Sequence, residues 1–140
     1  MLFEKKEYKE RLKKVKDSMK KKGIDLYTPY PESVNKTILE YFNKKNINII
    51  SFSTFNIDLD EDIASVDPEY LLETLIKLNI SDADALFISC TALPALEILE
   101  KVEKKIKKLV LSSNQTLIWD TIRSAGYKNS IMGYGKLFIN

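Results

Sequence analysis

The stretch Asp82-Ala83-Asp84-Ala85-Leu86-Phe87-Ile88-Ser89-Cys90-Thr91-Ala92-Leu93 decides the fold. Ala85–Ser89 is a short apolar run between polar residues, the pattern of a strand buried on both faces. Pro94 opens the next helical pattern, so Cys90, the only cysteine, falls at the carboxyl end of a central strand just before a helix.

Working outward, strand and helix patterns alternate on both sides. Upstream, Ile24–Thr28 is a short strand and Pro31–Asn43 a helix whose Val34, Ile38, Leu39 and Phe42 face inward. Asn46–Phe52 is a strand rich in β-branched residues, and Asn56–Val66 an acidic loop. Asp67-Pro68 starts the next helix, with Asp67 as N-cap and Pro68 in the first position, and that helix runs to about Leu78. Downstream, Pro94–Ile106 is a helix and Leu109–Ser112 a strand. Asn114 caps a helix that runs through Ala125 and stops at Gly126, and Ile131–Ile139 is a weak final strand. Alternation of this kind implies a parallel sheet with right-handed crossovers. The expected fold is α/β: a flavodoxin-like three-layer sandwich with a four-stranded parallel sheet of order 2-1-3-4, preceded by an N-terminal amphipathic helix.

The amino-terminal end has a different composition. Residues 1–22 carry ten Lys/Arg and four Asp/Glu, whereas the remainder is net acidic. Tyr8, Leu12, Val15 and Met19 recur at helical spacing, so residues 1–23 read as a basic amphipathic helix and residues 24–140 as a single domain. A basic arm can bind nucleic acid, but this one has almost no interleaved aromatics and no groove-reading motif, which favours a solvated helix. With 140 residues, 44% hydrophobic and 30% charged, the composition is that of a soluble globular protein. No apolar run is long enough to span a membrane and no secretory leader pattern opens the chain. One cysteine and no histidine fit a reducing cytoplasm and supply no zinc pattern.

In open parallel sheets, ligands bind beyond the carboxyl ends of the strands, at the switch point of the strand order. Three polar turns end there: Thr28-Pro29-Tyr30, Ser89-Cys90-Thr91 and Ser112-Ser113-Asn114. A thiol between a strand end and a helix start can exchange a proton with a carbon acid. Backbone N–H groups of Thr91 and Ala92 could hold a carboxylate or enediolate oxygen. The competing reading is that Cys90 is a small buried hydrophobe. The lack of histidine argues against a papain-like Cys–His nucleophile and is compatible with proton transfer by a thiol. Asp58, Asp60, Glu61 and Asp62 lack the calcium-loop glycine and spacing and read as a solvated acidic loop.

The same turns carry a resemblance. T-P-Y at Thr28–Tyr30 with Val34-Asn35, I-A-S-V-D-P-E at Ile63–Glu69, the Asp82–Leu93 stretch, S-S-N-Q-T-L-I-W-D-T-I-R at Ser112–Arg123 and G-Y-G-K-L-F at Gly133–Phe138 resemble the aspartate/glutamate racemase superfamily. Within it, the maleate isomerase and arylmalonate decarboxylase branch is nearer, including decarboxylase-like proteins of ectoine utilisation. The resemblance runs from Thr28 to the end and implies the second of two α/β halves that face each other across a site. It implies a cofactor-independent isomerase, racemase or decarboxylase of small dicarboxylic acids. Cys90 would donate a proton to, or add to, an enediolate-like intermediate. Tyr30 would contact substrate and Thr91 would donate a backbone hydrogen bond; Asp60 stands where maleate isomerases carry a substrate-binding asparagine. Thr28, Asn35 and Ser113 complete the implied set.

The family's first half has no counterpart in this sequence. Phe3–Asp25 instead resembles the opening helix of creatinase-like hydrolases such as ectoine hydrolases. The expectation is a site incomplete in this chain, which a homodimer facing two Cys90 mouths could complete. The rivals are a non-catalytic remnant or interaction domain and, on the basic arm, an anion- or nucleic-acid-binding module.

Overall fold

A computed structural model of the chain describes residues 23–80 and 82–139. The basic helix expected over residues 1–22 lies outside them. The order is β1 (Ile24–Thr28), α1 (Glu32–Lys44), β2 (Ile49–Thr54), α2 (Asp60–Ala64), α3 (Pro68–Ile76), β3 (Ala85–Ile88), a 3-10 turn (Leu96–Ile98), α4 (Leu99–Ile106), β4 (Leu109–Ser112), α5 (Ser113–Ser124) and a 3-10 turn (Lys136–Phe138). The four strands form one parallel sheet of order β2-β1-β3-β4, as expected.

Successive side chains of a strand point to opposite faces, and here the two faces have different covers. Tyr27 of β1, Leu86 and Ile88 of β3 and Val110 of β4 meet Ile63, Leu71, Leu75, Leu99 and Val102 in one buried cluster that also contains Cys90. This cluster places α2, α3 and α4 on one face. On the other, α1 sets Phe42 edge-on against Phe87 of β3, with ring centroids 5.9 Å apart. At the base of the sheet, Gly23 N–H donates to Asp84 Oδ2 (2.9 Å) and Asp84 N–H to the Gly23 carbonyl (2.8 Å), aligning the starts of β1 and β3. Gly23 has φ +127°, and a side chain there would collide with the Asn48 carbonyl, so glycine is required.

Several sequence expectations need correction. The acidic loop contains a helical turn, α2, whose Ile63 is 1% exposed; one apolar residue among carboxylates anchors it. Val34 of α1 is exposed, and the buried position on that helix is Asn35. The expected Pro94–Ile106 helix begins instead as a 3-10 turn at Leu96. Ile131–Ile139 is no strand. It folds back on itself, with Ile131 N–H donating to the Phe138 carbonyl, and Arg123 fastens it through the carbonyls of Tyr127, Asn129 and Phe138. Asn114 does not cap α5. Ser112 does, in a capping box: its hydroxyl accepts from Gln115 N–H and its own N–H donates to Gln115 Oε1. Asp67 caps α3 as expected, accepting from the N–H groups of Glu69 (2.8 Å) and Tyr70 (3.0 Å).

Candidate active site

Register fixes which turns share an end of the sheet. Tyr27 lies beside Ile88, and Ile88 beside Ser112, so Tyr30, Cys90 and Ser113 each follow at the carboxyl ends of three adjacent parallel strands. Ser89 N–H donates to the Tyr27 carbonyl at 2.9 Å, which carries the ladder one residue past β3 and delivers Cys90 to the rim. Cys90 is 4% exposed and packs into the main core.

The first turn is built around Tyr30. Its carbonyl accepts two short bonds, from Asn35 Nδ2 and from Thr54 Oγ1, each 2.6 Å. Thr28 Oγ1 in turn donates to Asn35 Oδ1. Thr28 and Asn35 are both buried, with their polar groups turned to each other and to the Tyr30 backbone. Thr54 also accepts from Asn56 N–H, and Ile57 N–H reaches the Pro29 carbonyl, so the start of the acidic segment wraps the same turn.

Held this way, the half-buried Tyr30 packs against the buried cluster that contains Cys90. The hydroxyl's pKa is pushed above the ordinary phenol range, chiefly by burial, with neighbouring Cys90 and then Asp60 adding in the same direction. It therefore remains a protonated donor at neutral pH. Asp60, at the start of α2, stands close enough to contribute to that field. Across the mouth, Asn114 Nδ2 donates to the Thr91 carbonyl at 2.9 Å. Among the described residues the N–H groups of Thr91 and Ala92 donate to no protein acceptor.

The structure thus packs Tyr30 against the cluster that holds Cys90, sets Asp60 at the start of α2 where its charge acts on Tyr30, and puts Thr91 and Ser113 at the same end of the sheet. It places Thr28 and Asn35 behind Tyr30, bonded inside the protein. Asn114 and Thr54 were missed in the sequence. Asn114 stands where a helix cap is expected, although Ser112, with Gln115 three positions on, fits the capping-box pattern better.

A family model described as arylmalonate decarboxylase matches residues 12–138. The chain belongs to the arylmalonate decarboxylase family. That match begins inside Phe3–Asp25, and no comparison supports the likeness of that segment to creatinase-like hydrolases. Among relatives, a maleate isomerase of Geobacillus stearothermophilus is 26% identical over 117 residues, 83% of this chain and 47% of its own. An arylmalonate decarboxylase of Bordetella bronchiseptica is 27% identical over 118 residues, 82% of this chain and 49% of its own. The crystal structure of the maleate isomerase Iso from Pseudomonas putida S16 superposes with a TM-score of 0.81 at 21% identity, over 89% of this chain and 51% of that one. The chain spans about half the length of the curated relatives it matches.

Proposed function

We propose that this domain supplies the cysteine side of a cofactor-independent isomerase, racemase or decarboxylase site for small dicarboxylic acids. The observation that carries this reading is that Tyr30, Cys90 and Ser113 follow the carboxyl ends of three adjacent parallel strands, beside N–H groups of Thr91 and Ala92 that donate to no described acceptor. Such a reaction builds negative charge on a carboxylate as it becomes an enediolate. Fixed donors aimed at that charge lower the barrier. Thr91 and Ala92 would bind the carboxylate oxygens, with Tyr30 as a further donor. The thiol of Cys90 would deliver a proton to the carbanionic carbon, leaving a thiolate stabilised by Tyr30.

In this reading Ser113 is a polar wall, Asp60 orients the substrate's outer end, and Thr28 and Asn35 act through the Tyr30 turn. The donors on this chain form one side of the mouth; a second copy facing it would be one way to supply the other. Maleate- and arylmalonate-like diacids are the proposed substrate class because the relatives bear those names.

The test is a titration of labelled protein with malonate and maleate, followed at the backbone amide signals of Thr91 and Ala92. Saturable shifts there are expected. Their absence, with the remaining spectrum that of a folded domain, overturns the proposal in favour of a non-catalytic domain. Turnover of maleate or phenylmalonate is expected to vanish in Cys90→Ala; turnover that persists removes Cys90 from the mechanism.

A further inference from the structure

We infer that Asn114 is a positioning residue for this site: its side-chain amide sets the orientation of the Thr91–Ala92 peptide and so aims the anion-binding N–H group. This rests on the reading of Thr91 and Ala92 as carboxylate donors.

Three observations converge on it. The first is what Asn114 does not do. At the third position of Ser112-Ser113-Asn114 a helix cap was expected, yet Ser112 performs that task and Thr116 Oγ1 covers the carbonyls of Ser112 and Ser113. The Asn114 side chain is thus released from α5 and reaches across twenty-three residues of sequence to the Thr91 carbonyl, at 2.9 Å.

The second is the geometry of a peptide unit. No peptide bond in the described chain is cis, and in a trans unit the C=O and N–H point in opposite directions. Thr91 C=O and Ala92 N–H belong to one unit. Fixing the carbonyl on Asn114 points the Ala92 N–H away from α5. Residues 91–93 lie outside any helix or strand, so no ladder would otherwise set this plane.

The third is how firmly Asn114 itself is held. Its neighbour Gln115 is fully buried; besides closing the capping box, its Nε2 donates to the Tyr134 carbonyl at 2.6 Å. The first turn of α5 is therefore tied to the carboxyl-terminal segment, and Asn114 projects from a fixed base rather than from a fraying helix end. A donor on a rigid element holds a flexible turn more precisely than the turn holds itself.

The proposal is tested on Asn114→Ala, Asn114→Asp and Asn114→Gln, each compared with the parent protein. Asp is nearly isosteric but cannot donate, whereas Gln keeps the donor. Without ligand, the amide signals of Thr91 and Ala92 are expected to shift and broaden in the Ala and Asp variants and to lie nearer the parent in Gln. Half-saturation by malonate is expected to rise about tenfold in Ala and Asp, the scale of one misaimed hydrogen bond to a charged group. Thermal melts verify that each variant is folded. If the Thr91 and Ala92 amides do not move in Asn114→Ala, the inference is wrong whatever malonate does. If the parent itself binds no malonate, the proposed function falls, and the ligand-free amide signals alone decide the positioning role. Moved amides with unchanged malonate affinity would show a merely structural contact and would also overturn it.

Discussion

The two edges of the sheet are finished in opposite ways. At β4, alternating residues are buried, and the strand's outward N–H groups are taken by side chains: Val110 N–H by Glu103 Oε1 at 3.0 Å, Ser112 N–H by Gln115 Oε1. The same two side chains hold the carboxyl-terminal segment, Glu103 Oε2 accepting from Lys136 N–H at 2.8 Å and Gln115 Nε2 donating to Tyr134. Gly135 passes between them at φ +88°, where an added Cβ would lie 3.0 Å from Gln115 Nε2 and 3.2 Å from Glu103 Oε2. At β2, no strand pairs with the outer side among the described residues, and its residues are exposed or half-buried. Covering an edge and leaving it polar are both ways to avoid edge-to-edge pairing. Both edges also hold a turn at the mouth: the side chains that seal β4 fix the base of α5, and Thr54 at the end of β2 fastens the Tyr30 carbonyl.

The largest effect should come from breaking the covered edge. Glu103 is 4% exposed and its carboxylate accepts two backbone bonds. Glu103→Ala leaves two N–H groups unpaired. With hydrogen bonds to charged acceptors worth about 1.5–3 kcal/mol each, a loss of about 3 kcal/mol is expected. Denaturant melts measure it. Glu103→Gln, which keeps one good acceptor, should fall between. Equal midpoints for Glu103→Ala and the parent would mean that water replaces the carboxylate and that the edge is not sealed.

A cap distant from both edges supplies the middle of the scale. Asp67 satisfies two N–H groups at the start of α3 while remaining exposed to solvent. Asp67→Ala should cost about 1 kcal/mol. An unchanged midpoint would show that the cap is replaced by solvent without loss. A cost matching that of Glu103→Ala would remove the contrast between a buried clamp and an exposed cap.

The covered edge was also the part least legible in the sequence. Strand order, the place of Cys90 and the Asp67 cap followed from local patterns: β-branched or apolar runs, a strand-to-helix boundary, an Asp-Pro pair. Glu103 sits in a lysine-rich helical stretch, Glu100 to Lys108, where a solvated glutamate is the ordinary expectation; only the folded chain brings Val110 and Lys136 to its two oxygens. Ile131–Ile139 has strand-like composition, but Gly133 and Gly135 both take positive φ and turn it back. Asp25 reads as a polar residue at the start of a strand; in the fold it is 2% exposed, and among the described residues neither carboxylate oxygen has a hydrogen-bond partner. The positions of Tyr30 and Cys90 were legible because each lies next to a strand end. The side chains that fasten the neighbouring backbone, Thr54 on the Tyr30 carbonyl and Asn114 on the Thr91 carbonyl, act across long sequence separations and leave no local signature.

The smallest effect is expected at the open edge, and it tests whether that edge is open in solution. Ile50 in β2 is 39% exposed, while Val110 in β4 is fully buried. Threonine keeps the β-branch and the strand preference in both places, so the two substitutions differ in burial rather than in backbone propensity. Val110→Thr puts a hydroxyl into an apolar cluster, and a cost of about 1–3 kcal/mol follows from desolvating it. Ile50→Thr loses only partly buried methyl surface and leaves its hydroxyl in water, so a change within about 0.5 kcal/mol is expected. The two are measured as denaturation midpoints at several protein concentrations. If Ile50→Thr costs as much as Val110→Thr, and the cost grows with concentration, then β2 is covered by a second copy of the chain. If the cost is large and independent of concentration, the cover belongs to the chain itself. In either case the two edges would be closed alike, one by hydrogen-bonding side chains and the other by apolar contact.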